Sequence, residues 1–452
     1  MNLPKEPIEN HWPRINAMYD ASGDAGIRVY SGDLQLSSGE DTWTAVGDIV
    51  LRLDAGFPLF ARFGGEQPWI ADHAFRAKDP VVSIPESAVL RMPPIDSAVP
   101  EAPTSTSSWL EYEIPMNELE AGKPDRINRM ILHVNGRLAN LPLPQRMTAD
   151  GGSQGALRFR LPDWDLTLAE VGSQTDEHSF SFVVEATLRS DTCDRESVKL
   201  LTRRIFMLLR FIASGGITVG ASVGFDSDNA VVWAAWGAGR MEKSGPRWCP
   251  RRVINTALPE IAQGIIALAE DPGLEACVER SISLLLSVNE PGVLDTKVPN
   301  ACSGLELLAW AVIQRKTWMT TDTMRRLTSP ARLRFLLHWA GLPVELPPAY
   351  TALQSRHKRK NQADLAGPEL VFDVRNALVH PPKDTTDPEW PSRGELLETW
   401  HLATWYLEAS ILRILGYEGE YVSRLNLNRW EGETDPLPWV DPAASLAVAQ
   451  SL

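Results

Sequence analysis

Arginine and histidine in close succession are residue types suited to phosphoryl chemistry. A guanidinium grips anionic oxygens through a planar fork, and an imidazole gives or takes a proton near neutral pH. Three such pairs occur with four to six intervening residues: Arg126…His133, Arg332…His338 and Arg375…His380. The third lies in FDVRNALVHPPKD, residues 372–384, which adds Asn376 beside the arginine and two prolines behind the histidine. With eight histidines in the chain, spacing of this kind recurs by chance. The surroundings must select among the three.

Arg126…His133 falls in a β-patterned stretch, INRMILHVNGRLANLPL, whose Asn135-Gly136 pair between apolar runs predicts a hairpin. Arg332…His338 lies in a helical stretch whose apolar positions suggest packing. Arg375…His380 lies on an amphipathic helical stretch. On an ideal helix Asn376 and His380 share a face, whereas Arg375 and His380 stand about 140° apart. The proline after His380 disfavours helical backbone at the histidine and so predicts that the helix ends there, where the helix dipole favours a positive side chain. Arg375 can then grip an anion, and Asn376 can orient the imidazole or the substrate; the plain alternative is a surface ion-pairing arginine and a helix-end histidine cap.

A dense basic run, Arg356-His357-Lys358-Arg359-Lys360, precedes this stretch by one loop, and Lys383 follows it. Such clusters hold phosphate backbones, although a solvated loop is the plain alternative. The glycine-rich GGITVGASVG, residues 215–224, lacks Gly-Lys-Ser/Thr and follows a helical pattern, so it is expected to be turn and strand rather than a nucleotide loop. Asp163 and Asp165 in PDWDLTL are expected to be solvated turn acids.

The positioning elements separate into two halves. Short alternating segments such as GIRVYSGDLQL, DIVLRLDAG, ALRFRLP and SFSFVVEATL predict strands through the first 190 residues. A helix is expected over about 193–214, stopping at Gly215-Gly216, followed by two strands. Beyond Asn255 the apolar spacing is helical almost to the end. The predicted fold class is α+β and multidomain: a β-rich, sandwich-like domain over 1–240, a linker at 241–255, an all-α domain over 256–420, and an irregular tail over 421–452 wrapping the bundle.

Composition narrows the function classes. The chain has 452 residues, 44% hydrophobic and 23% charged, with a net charge of −14 that argues against a wholly basic nucleic-acid surface. Residues 1–240 carry 22 Lys and Arg against 32 Asp and Glu, while 241–452 carry 22 against 26, so the second half is the better place for an anionic ligand. Cys193, Cys249, Cys277 and Cys302 lie far apart with no CxxC, which suits neither zinc nor a disulfide framework and points to a reducing, cytoplasmic setting. No secretory pattern or membrane-length apolar run is read, and no metal or cofactor is expected.

The form RNALVH, late in an all-α region and before a final long helix, resembles the active-site helix of the HEPN superfamily, whose signature is Arg-x(4–6)-His. The β-rich first half, the Trp-containing linker and LATWYLEASILRILGYEGEY resemble ApeA-like bacterial HEPN ribonucleases. The resemblance covers about residues 255–420 well and the first 240 only in architecture. It implies a metal-independent endoribonuclease acting on tRNA or mRNA as a homodimer with a composite active site, used in antiphage defence or abortive infection and answering a phage or cellular trigger. His380 would be general acid/base, Arg375 the phosphoryl stabiliser and Asn376 supportive; Glu306, in an earlier apolar helix, is a weaker candidate polar partner, with a solvent-facing glutamate as the equal alternative. Pro382 stands where some HEPN toxins carry a modified tyrosine, so that mode of control is not expected. The competing expectations are a non-catalytic HEPN-like binding or dimerisation protein, and a carbohydrate- or peptide-recognition protein led by the β region.

Overall fold

The computed structural model describes residues 15, 27–38, 41–51, 59–63, 81–83, 112–116, 119–136, 143–149, 152–171, 181–190, 193–237, 245–360, 366–380, 390–425 and 433–440. The chain divides into two compact units, Met1–Phe206 with Gly216–Met241, and Met207–Gly215 with Glu242–Leu452. The first is β-rich and the second helical, as the change of periodicity predicts.

The strands of the first unit are β1 (Ile27–Ser38), β2 (Asp41–Leu51), β3 (Leu59–Phe63), β4 (Val81–Ser83), β5 (Tyr112–Met116), β6 (Leu119–Gly122), β7 (Arg129–Gly136), β8 (Gln145–Met147), β9 (Ser153–Leu161), β10 (Trp164–Glu170), β11 (Phe182–Leu188), β12 (Ile217–Phe225) and β13 (Val231–Trp236). They form an antiparallel five-stranded sheet, β4-β1-β2-β3-β5, and an antiparallel eight-stranded sheet, β6-β13-β12-β7-β11-β10-β9-β8. Asn135 and Gly136 do not turn a hairpin. They lie within β7, opposite Thr218 and Ile217 of β12. The Asn-Gly signal is local, and the pairing that overrides it comes from a strand some eighty residues away. Asp163 sits at φ 64° in the tight turn between β9 and β10; Asp165 lies within β10, and it is exposed and pairs with Arg160 at 2.9 Å.

β7 lies inside the larger sheet, and its His133 is wholly buried, with Nδ1 3.2 Å from the Ala221 carbonyl oxygen. Burial pushes its pKa down from 6.5 to about 4, against the opposing pull of that carbonyl. The unfolded chain therefore takes up a proton between pH 6.5 and 4 that the folded chain refuses. Stability from this residue is complete above about pH 6.5 and falls as pH drops toward 4, by up to about 3 kcal/mol. Urea unfolding at pH 7.5 and 5.0 should show this loss, and His133→Leu should remove much of the difference between the two midpoints.

The long helix α1 (Arg195–Ala213) ends where the sequence predicts. Ser214, Gly215 and Gly216 all take positive φ (57°, 93° and 70°), and the Gly215 N–H closes onto the Arg210 carbonyl at 2.9 Å. Glycine adopts this backbone without steric cost, so the pair stops the helix.

The helices of the second unit are α2 (Ile254–Ala269), α3 (Pro272–Asn289), α4 (Leu294–Arg315), α5 (Thr321–Arg326), α6 (Ser329–Ala340), α7 (Thr351–Lys360), α8 (Gly367–Val379) and α9 (Arg393–Ile414). Capping chemistry sets several of their ends. Asp271 accepts from the Leu274 N–H before Pro272, and Ser392 forms a reciprocal capping box with Glu395. The stretch TMRRLTSPARLRFLLHWAG, whose apolar spacing is helical, holds two helices. Thr328 is extended and caps α6, and the ring of Pro330 cannot follow a continuous helix without meeting the carbonyl one turn back. α4 packs against α3, α6, α8 and α9 and forms the centre of the bundle.

The expected linker at 241–255 is corrected in part. Among its described residues Trp248 and Cys249 are buried; the Trp248 indole donates to the Phe211 carbonyl at 2.8 Å, and its ring contacts Phe211 and Tyr417. Glycine and proline mark irregular backbone, but the large apolar ring of Trp248 makes this segment part of the core. The tail packs on the bundle where it is described: Tyr421 bridges Asp435, Leu437 is buried, and the Trp439 indole donates to the Tyr417 carbonyl. No helix among the described residues is long and apolar enough to cross a membrane.

Candidate active site

α8 presents the third Arg–His pair. Pro368 starts the helix, the Glu369 carboxylate accepts from the Ala366 N–H at 3.1 Å, and the Arg334 fork from α6 grips that same carboxylate at 2.5 and 2.6 Å. Leu370, Val371, Phe372 and Val374 are buried. This anchored apolar face leaves Asn376, Val379 and His380 exposed at the other end, with Arg375 half-buried.

His380 is the C-terminal cap, with extended backbone (φ −111°, ψ 143°) and its N–H on the Asn376 carbonyl at 3.0 Å. The proline-imposed helix end is therefore present. Asn376 is bonded to its neighbour in the chain. Its Oδ1 accepts from Arg375 Nη1 at 3.1 Å. Arg375 Nε is buried with no hydrogen-bond partner.

The facing residues come from α4. Cys302 and Glu306 are one turn apart and so share a face. Burial raises the Cys302 thiol pKa, with the Arg375 charge opposing and the Glu306 charge adding to the shift, so both charges stand near this sulfur. The Glu306 carboxylate accepts a hydrogen bond from Ser329 Oγ at the start of α6. Glu306 is half-buried and bonded to Ser329, on the same face of α4 as Cys302. Ser329 was not foreseen; the only local sign of it is the Thr-Ser-Pro helix start. Among the described residues no group of three or more His, Cys, Asp or Glu is arranged to hold a metal ion.

The basic run is the main correction. It is not a solvated loop but the last turns of α7, and three of its charges are committed within the bundle. Arg356 is buried, pairing with Asp373 of α8 at 2.6 Å and Glu395 of α9 at 3.6 Å. Arg359 pairs with Glu395, and Lys360 with Asp373 at 3.4 Å. Burial opposes ionisation of Glu395, but hydrogen bonds from Ser392 and Arg359, with the Arg356 charge, hold its pKa below the ordinary value. These arginines tie three helices together instead of offering a free phosphate track. His357 is half-buried and Lys358 exposed, while Lys383 lies outside the described residues. Arg356→Ala should cost about 2–4 kcal/mol in urea denaturation, because Glu395 and Asp373 keep their second partners; exposed Lys358→Ala should stay within about 0.5 kcal/mol of wild type.

The other two Arg–His pairs are pulled apart. Arg126 sits in a single 3-10 turn and pairs with Asp226 at 2.9 Å, far in chemistry from the buried His133. His338 is exposed near the C-terminal end of α6, whereas Arg332 lies near its start, where Nη2 donates to Ser329 Oγ at 3.3 Å.

Residues 271–436 match a family model described as the YopA C-terminal domain, a span that contains α3 to α9 and every residue of the candidate site. The chain is 24% identical over 250 residues to the SPbeta prophage-derived uncharacterized protein YopA of Bacillus subtilis (strain 168), covering 54% of this chain and 54% of that protein. It therefore spans about half the length of the curated relative it matches. No solved structure matches.

Proposed function

We propose that the helical unit is a HEPN-type, metal-independent endoribonuclease and that the protein acts as a growth-arresting effector in phage–host conflict. The observation that carries the reading is the end of α8, where an exposed His380 follows an Arg375–Asn376 pair on the last turns of an anchored helix. The similarity to a prophage-derived protein is consistent with that setting.

In this reading a ribose 2′-OH attacks the neighbouring phosphorus. A 2′,3′-cyclic phosphate forms and the bond to the 5′-oxygen breaks. His380 moves the proton, either taking it from the 2′-OH or delivering it to the 5′-oxygen. Arg375 stabilises charge on the non-bridging oxygens, and Asn376 holds its guanidinium in place. Two copies of α8 meeting across a dimer would pair these groups in one cleft, and the exposed Val379 beside His380 suits burial by a second copy. The β-rich unit would sense the trigger, and the protein would work in the cytoplasm.

The test is incubation of the purified full chain with total tRNA and with mRNA in EDTA, beside Arg375→Ala and His380→Ala. Cleavage to cyclic-phosphate ends, lost in both variants, supports the reading; equal cleavage by all three preparations defeats it. Growth arrest on expression, relieved by His380→Ala, is the cellular counterpart. A non-catalytic HEPN-like binding protein is the second reading, favoured by the internal neutralisation of the basic run. RNA binding without cleavage, alone and in phage-infected cells, would select it.

A further inference from the structure

α4 and α6 run side by side in the same direction. Glu306 meets Ser329, the Arg332 guanidinium lies 5.6 Å from the Trp310 ring, and further along Lys316 Nζ lies 5.7 Å from the Trp339 ring. α8 runs the opposite way: its first turn takes Arg334 through Glu369, and six residues later Arg375 stands near Cys302. Six residues advance a helix by about 9 Å, so the last turns of α8 reach the level at which α6 begins. Arg375, Glu306, Ser329 and Arg332 are thereby gathered at one end of three packed helices.

The two arginines there differ from the others of this region. Arg334 is neutralised by Glu369 and Arg356 by Asp373 and Glu395. Neither Arg332 nor Arg375 has a carboxylate partner among the described residues, and in each the Nε is buried with no acceptor. Arg332 is nevertheless held firmly. Ser329 Oγ accepts from its Nη2 while donating to Glu306, and Trp310 lies against its guanidinium. A guanidinium fixed by neutral contacts, with buried donors left over, is arranged to receive an anion.

We infer that Arg332 is a second phosphate-binding residue of the proposed active site, positioned by Ser329 and Glu306, and that it takes an RNA backbone phosphate next to the one held by Arg375. The inference rests on the ribonuclease reading and adds to it a substrate contact that extends beyond the scissile phosphate. It also gives Glu306 a defined task, to position Arg332 through Ser329 rather than to move a proton.

The probe is a short fluorescent RNA with 2′-O-methyl groups throughout, which cannot undergo 2′-OH attack, titrated with the full chain between 50 and 200 mM KCl. Arg332→Ala should weaken binding about tenfold and reduce the slope of log affinity against log salt by about 0.7, the value for one contact on a single strand. Arg332→Lys, which keeps the charge, should restore the slope and the wild-type melting temperature. On cleavable RNA, Arg332→Ala should raise KM with kcat nearly unchanged, whereas Arg375→Ala should lower kcat. Unchanged affinity and slope in Arg332→Ala overturn the inference and leave the ribonuclease reading to stand on Arg375 and His380. Arg332-dependent binding without cleavage removes the ribonuclease reading and keeps Arg332 as a backbone contact. Absence of binding by the wild-type chain overturns both.

Discussion

His380→Ala is expected to lower RNA cleavage by about 10²–10⁴-fold, the range that a positioned general acid or base supplies. The loss should appear in kcat, because an imidazole that moves a proton in the transition state contributes little to ground-state binding. Folding should be untouched. The side chain is exposed, and the hydrogen bond at this position is made by its backbone N–H, which alanine retains. Thermal melting should therefore stay within about 0.5 kcal/mol of wild type. This pairing of a large kinetic loss with constant stability separates a chemical role from a helix-capping one. Cleavage that survives the substitution would assign His380 to the cap and remove the central support of the mechanism.

Arg424→Ala is expected to destabilise the helical unit by about 3–5 kcal/mol. Glu408 lies inside α9 with no exposed surface, and Arg424 of the C-terminal segment reaches it at 3.0 Å through Nε and 2.7 Å through Nη2 while also donating to the Pro246 carbonyl at 3.2 Å. Alanine would leave a carboxylate buried without its guanidinium, and the cost is that of an uncompensated charge rather than of a lost surface bridge. Joint replacement of Glu408 by Gln and Arg424 by Met should recover most of the loss, since it removes both charges together. Urea denaturation of the three variants measures this; a double variant as unstable as Arg424→Ala would show that packing, not charge, holds the tail.

Much of the architecture was legible because its signals are local. Alternation at period two marks β9, β10 and β11, and spacing of three to four marks α3, α4 and α9. Gly215-Gly216 stops α1, and Pro381 predicts the extended backbone at His380. The failures arise where a local signal met a distant partner. Asn135-Gly136 reads as a turn, but β12 claims both residues. The basic run reads as a phosphate track, but carboxylates 17 and 36 residues further on claim its arginines.

The sequence alone therefore determined the kinds of element, most of their ends, and the placing of Arg375, Asn376 and His380 on the last turns of one helix, because each depends on residues within one or two turns. Tertiary structure alone decided which charges are neutralised and which are left with spare donors. It buried Arg356 in ion pairs, turned Asn376 toward Arg375, and brought Ser329 and Arg332 to Glu306. Those outcomes depend on which helices pack together, and a contact between separate helices has no fixed spacing along the chain from which it could be read.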